Sequence, residues 1–234
     1  MNRQQFVKQG IYGLGALISS GGLLQACTKL ATPTTNSGVS ADGCTLSPSE
    51  TKGPFPIKSP AELVKSSIVS DREGIPMTLS IQVVNNNSDC QPVAGAMVDV
   101  WHCDADGNYS EYGGSGMQPT NYTNAHFLRG RQTTDAEGKV NFISIYPGWY
   151  RGRAPHIHVE VLSSAGKSLM VTQIAFPEDT SKTVYATEYY NGDADTANTR
   201  DNVFSDSLAL NMADAVTGNT NDGYTVNKVI TVNA

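Results

Sequence analysis

Charged side chains are scarce here, at 16% of 234 residues, and histidine and cysteine are scarcer, with four of each. The low charge excludes a coiled coil or a solvated disordered chain. Any metal site built on imidazole must draw on those four histidines. Long apolar runs are also missing: the longest, Ile11 to Leu24, is glycine-rich and falls short of the about 20 residues needed to span a bilayer. Basic residues are in the minority, 16 against 22 acidic, for a formal net charge of −6. Such a surface repels nucleic acid and anionic lipid, so no nucleic-acid partner is expected.

What is abundant is turn chemistry. The chain has 22 glycines and 11 prolines beside 39% hydrophobic residues, a loop-rich globular composition with room for one substantial core. The leading fold class is all-β.

The N-terminus reads as a targeting segment. Arg3 and Lys8 precede the apolar run with no intervening acid, the pattern of a signal peptide over residues 1–26. Leu23-Leu24-Gln25-Ala26-Cys27 resembles a bacterial lipobox, which implies a lipid anchor on Cys27 and a periplasmic or cell-surface location. The stretch from Asn2 to Lys8 resembles a twin-arginine export signal with Gln4 in place of the second arginine. From 27 to 43 the composition cannot bury enough surface to offset chain entropy, so this is a tether. The folded domain is expected over 44–234. If Cys27 carries lipid, Cys44, Cys90 and Cys103 remain in a compartment that permits disulfides. A strand at about 3.3 Å per residue between Cys90 and Cys103 keeps those two apart, so any bridge includes Cys44.

Short apolar or alternating runs recur at 77–84, 96–101, 139–143, 156–161, 168–174 and 224–232, separated by clusters such as Asp104-Ala105-Asp106-Gly107 and Pro147-Gly148. This spacing predicts an antiparallel β-sandwich or barrel with long loops. Short helices are expected around 181–190 and 205–215.

Chemistry concentrates in Pro147 to His158. On a strand, His156 and His158 project from the same face and can reach one metal ion. A tyrosine, Tyr150, follows the Pro-Gly turn just upstream. Phenolate is a hard anionic ligand, so tyrosine joined to histidine points to ferric iron rather than zinc or copper(I). Arg129, Arg131, Arg151 and Arg153 concentrate positive charge that could attract an anionic aromatic molecule.

Five blocks in order resemble the intradiol ring-cleavage dioxygenases. Gly95 to Ser110 resembles the region of the family's first tyrosine ligand, and Phe127 to Phe142 its next hairpin. Pro147 to His158 carries its Pro-Gly-x-Tyr and Arg-x-x-His-x-His pattern. Thr51-Lys52-Gly53-Pro54 and Thr172-Gln173-Ile174-Ala175-Phe176 resemble two further segments. The chain looks most like the family's secreted branch. The resemblance implies a β-sandwich holding Fe(III) through Tyr109, Tyr150, His156 and His158, and a reaction in which O2 opens a catechol-type ring between its hydroxylated carbons to give a muconate-type diacid. It also implies roles for Tyr150 as a displaceable ligand and proton acceptor, for Arg153 beside the substrate ring, and for Gln173 in orienting Arg153. His102 and His126 fall on no ligand position. The loop from Tyr150 to His156 is shorter than in protocatechuate 3,4-dioxygenase chains, and no N-terminal helix resembles the dimerising one of catechol 1,2-dioxygenases, so neither the ring's substituents nor the oligomeric state follows, although a homo-oligomer is compatible. Two other readings compete: a non-catalytic exported β-sandwich that binds a partner, and an exported copper or zinc protein using the two histidines.

Overall fold

The computed structural model describes residues 44–234 except Ser115. The expected signal segment, Cys27 anchor and tether lie outside the described residues.

The chain folds into two stacked sheets. The first contains β1 (Pro76–Asn85), β2 (Gln91–Pro92), β5 (Lys139–Ile145), β8 (Ala215–Asn219) and β9 (Gly223–Val232); the second contains β3 (Met97–Trp101), β4 (Arg129–Thr133), β6 (His156–Leu162) and β7 (Ser168–Ala175). All pairs are antiparallel except one: β1 runs parallel to β9, joining the first long strand to the last. The second sheet has the order β4-β3-β6-β7. This is the all-β sandwich that the strand spacing predicts, with α1 (Glu178–Tyr185) and α2 (Leu208–Asn211) as its two short α-helices.

Alternation explains how the layers bury their faces. Met77, Leu79, Ile81 and Val83 of β1 point into the core, as do Val226 and Ile230 of β9. They meet Val98 and Val100 of β3 and Ile157, Val159 and Val161 of β6. Packing of this kind yields about 25 cal/mol per Å² of apolar surface removed from water. In the second sheet the opposite face is buried too, which is unusual for an antiparallel sandwich. On that face β6 presents His156, His158 and Glu160, all buried. Loops roof it: Glu50 N donates to the Val171 carbonyl, Lys52 pairs with Glu160 at 2.6 Å, and Gln173 donates to the Thr51 carbonyl.

The expected helices come out shorter and displaced. The first runs from Glu178 to Tyr185, starting after Pro177, and the chain past Thr187 is irregular. The second is a single turn: Met212 leaves helical geometry at ψ 137° and Ala213 N bonds the Ala175 carbonyl, so the chain is drawn onto the edge of the second sheet and continues into β8. The buried Lys228 ammonium donates to the Leu210 and Met212 carbonyls that the helix leaves free. Strand β4 is the first arm of the hairpin that the family resemblance implies over 127–142, and periodicity alone does not show it because Arg-Gly-Arg-Gln-Thr has no apolar alternation.

Cys44 and Cys90 form a disulfide, and Cys103 is a buried free thiol. The bridge closes a loop spanning 46 positions, fastening the roofing segment to the end of β1. Loop-closure entropy for that span is worth up to about 4 kcal/mol. Cys44→Ser, or reduction of the wild type, should therefore move the urea midpoint of unfolding downward by a corresponding amount, and reductant should have no further effect on the variant.

Candidate active site

The two β6 histidines bring their ring nitrogens together. Nε2 of His156 lies 3.1 Å from Nε2 of His158, and Oη of Tyr109 lies 3.5 Å from the former. His156 Nδ1 donates to the Ala154 carbonyl at 2.6 Å, which fixes the tautomer and leaves an Nε2 lone pair aimed at the shared point. Nitrogens bound about 2.1 Å from one metal stand about 3 Å apart when they meet at a right angle, so the pair fits a single ion. Burial, reinforced by the nearby Arg153 charge, pushes the His156 imidazole down to about 3, and burial first, then the neighbouring His156, holds His158 well below its usual range. Both are neutral and free to act as ligands at any physiological pH.

His158 is fixed on its ring faces by an aromatic plane and a glycine. Trp101 stacks on it at 4.9 Å with 3° between planes. Gly53, at φ +67°, passes so near that a Cβ there would lie 2.8 Å from His158 Cε1. The Thr-x-Gly-Pro segment thus has a steric reason for its glycine.

The phenols come from two turns locked together. After β3, Asp104 accepts the Asp106 and Asn108 amides, and Gly107, at φ +85°, lies where a Cβ would meet the Trp149 carbonyl at 2.3 Å. The turn preceding Tyr109 therefore packs directly on the turn preceding Tyr150. Gln118 holds the Tyr109 amide at 2.7 Å, and Phe55 stacks on the Tyr109 ring at 4.8 Å. Tyr150 stands edge-on to Tyr109 and His156, with centroids 5.7 Å and 5.6 Å away. Burial raises both phenols, Tyr109 strongly; at Tyr150 the Arg153 charge opposes the rise. Phenols so placed ionise only beside a cation, which a bound metal supplies. Among the described residues no three His, Cys, Asp or Glu side chains converge on a point. The protein donors available beside the two imidazoles are therefore the phenols of Tyr109 and Tyr150, ligands suited to a hard cation.

Arg153 borders this cluster. Its NH1 lies 3.4 Å from Tyr150 Oη, its NH2 donates to Gln173 Oε1 at 2.6 Å, and its Nε donates to the fully buried Asp201. The structure thus brings all six expected residues, Tyr109, Tyr150, Arg153, His156, His158 and Gln173, to one place. The other expected cations are engaged elsewhere. Arg129 is wholly buried and donates to the Ser110 and Phe55 carbonyls, Arg131 pairs with Asp99 at 2.7 Å, and Arg151 is exposed. The cluster of four arginines is therefore not one anion-attracting patch. His102 bonds the Cys103 carbonyl and Ser144, and His126 pairs with Glu111, both away from the cluster.

Asp201, Gln118 and Asp104 are functional supports that the sequence reading missed. Asp104 was legible as an Asx-turn former. Gln118 and Asp201 lie in loops whose local pattern carries no signal for such contacts.

Two tyrosines and two histidines gathered on the outer face of one sheet of a β-sandwich are donors that could hold a metal ion without haem. A family model described as Dioxygenase matches residues 55–189. An intradiol ring-cleavage dioxygenase from Tetranychus urticae is similar in structure, with TM-score 0.72 and 30% identity over 81% of this chain and 95% of that one. Chlorocatechol 1,2-dioxygenase from Rhodococcus opacus is 32% identical over 107 residues, 38% of this chain and 39% of its own. The protocatechuate 3,4-dioxygenase beta chain from Burkholderia cepacia is 35% identical over 97 residues, 38% of this chain and 40% of its own. The chain spans about 40% of the length of these curated relatives. It belongs to the intradiol ring-cleavage dioxygenase family.

Two outcomes follow from this geometry. Gly53→Ala should displace His158 and lower the metal taken up per chain at least severalfold while the far-ultraviolet circular dichroism stays native. Burial also lowers His102 to about 4. Between pH 6.5 and 4 the unfolded chain takes up a proton that folded His102 refuses, so stability falls as pH falls. In the metal-free protein, His102→Asn should flatten the pH dependence of the unfolding free energy across that window by up to about 1.4 kcal/mol per pH unit.

Proposed function

We propose that this chain is a non-haem iron(III) intradiol dioxygenase that opens a catechol-type ring between its two hydroxylated carbons, placing both atoms of O2 in a muconate-type dicarboxylic acid. The observation that carries this reading is the meeting of His156 Nε2, His158 Nε2 and Tyr109 Oη within 3.5 Å, in a buried cluster with Tyr150 and Arg153. Tyr109, Tyr150, His156 and His158 would hold the iron. When bound, ferric iron supplies Lewis acidity toward the two catechol oxygens and draws electron density from the ring that O2 attacks.

The protein's own groups do the rest. Tyr150 is only partly buried and its oxygen lies beside Arg153, so it is the phenolate free to swing and take a catechol proton, leaving Tyr109 fixed under Phe55. The guanidinium of Arg153, held by Gln173, stabilises negative charge as it develops on the ring. Phe55, Ile57 and Tyr112 pack around the two tyrosines as an apolar wall suited to a flat aromatic substrate and to excluding water.

We further propose that the protein is exported and tethered through lipid on Cys27. The Cys44–Cys90 bridge supports an oxidising compartment. The binding-module alternative gives no reason to bury two neutral histidines against two phenols. The copper or zinc alternative lacks a third nitrogen, thiol or carboxylate ligand among the described residues.

The test is the visible spectrum of the purified chain, with metal analysis, before and after anaerobic addition of catechol. The expected result is one iron per chain, a tyrosinate-to-iron(III) band that shifts with catechol, and Tyr109→Phe losing both band and iron. A protein that stays colourless and iron-free after iron reconstitution would refute the reading.

A further inference from the structure

Asp201 lies beyond the segment that the family model covers, yet it has no exposed surface and pairs with Arg153 at the border of the site. Its two carboxylate oxygens receive Arg153 Nε at 2.8 and 3.0 Å, the Ala154 amide at 2.7 Å and the Val203 amide at 2.9 Å. Two of these donors are backbone groups, so the carboxylate is held in place whether or not Arg153 meets it. We infer that Asp201 is the positioning residue for Arg153, setting the guanidinium so that one terminal nitrogen faces Tyr150 and the other Gln173.

The geometry makes the requirement specific. Guanidinium is a rigid planar fork, so fixing its Nε edge fixes where NH1 and NH2 point. Gln173 alone is a weak constraint, being neutral and reaching only NH2, while its own amide is committed to the Thr51 carbonyl. Phe204, also without exposed surface, lies 5.6 Å from the Arg153 guanidinium and edge-on to His156 at 6.3 Å, and closes the space into which the arginine would otherwise rotate. Phe204 and Asp201 belong to the same short segment, so one loop supplies both the charge partner and the steric stop. That segment is anchored at either side, by Asn198 Nδ2 on the Phe176 carbonyl and Asn211 Nδ2 on the Gln173 carbonyl. The segment from Asn198 to Asn211 thereby reaches the reaction through Arg153 without supplying an iron ligand.

The inference rests on the reading that Arg153 faces the substrate, and a double-mutant cycle in the iron-loaded full chain tests it. Asp201→Asn is expected to lower kcat at least tenfold with KM changed less than about threefold. In an Arg153→Met background the same change should alter kcat less than twofold, because the group it positions is gone. Iron content and the resting visible band should stay at the wild-type level, and the metal-free variant should keep the wild-type secondary structure. An unchanged kcat, an equal penalty in both backgrounds, or loss of iron with the carboxylate would each overturn the positioning role. If Asp201→Asn does not fold, Asp201→Glu is measured against the same background by the same criteria. A wild-type chain that neither takes up iron nor cleaves a ring would sink the dioxygenase reading itself; an active wild type with an indifferent Asp201→Asn sinks this inference alone.

Discussion

Everything at the site follows from burying a polar face. A β-strand shows alternate residues to opposite sides, so the same β6 that sends Ile157, Val159 and Val161 into the apolar core must send His156, His158 and Glu160 the other way. In most antiparallel sandwiches that other side meets water. Here it is covered by loops, and each polar group beneath them must find a partner within the protein or a bound ion. The roof follows from that demand: Lys52 on Glu160, Gly53 against His158, Phe55 on Tyr109 and Asp201 on Arg153 are four places where a loop answers a side chain of the second sheet or of the turn that feeds it.

The electrostatics of the site have the same origin. Exclusion of water keeps the histidines neutral and would keep the phenols protonated, so the side chains of the cluster are by themselves uncharged donors. A bound cation would reverse the balance for the tyrosines while leaving the histidines as they are. Around that point the arginines are sorted by their partners. Arg129 and Arg131 are committed to structure, whereas Arg153, though paired, keeps a face toward Tyr150. The pairing orients the charge as well as offsetting it, since a guanidinium fixed at Nε has only one direction left for NH1.

Local chemistry in the chain foretold a good deal of this. The runs that became β1, β3, β5, β6, β7 and β9 carried their own period, and the turn at Asp104 to Gly107 carried its own residues. That any bridge would include Cys44 followed from the reach of an extended strand, whereas the choice of Cys90 over Cys103 was made by the fold. Missed elements were those whose local pattern is silent or misleading. Strand β4 hides its buried Arg129, which shares the His158 face, in a polar pentapeptide that only the family resemblance marked as part of a hairpin, and the stretch before β8 reads as helix until Ala213 is captured by Ala175. The parallel β1–β9 pair had no local signature at all, because parallel neighbours need no turn between them.

Residue identity and short-range spacing were enough to say that two imidazoles share a face, that phenols stand near them, and that a ferric ion is the ion such donors suit. These are properties of rotation per residue and of ligand chemistry, both written locally. The tertiary structure decided which of four arginines borders the reacting centre, that Gly53 must lack a side chain because His158 lies against it, and that Asp201, 48 positions after Arg153, sets the direction of its charge. Such facts depend on which loop lies over which strand, and the separation along the chain between contacting groups leaves no periodic trace in the sequence to read.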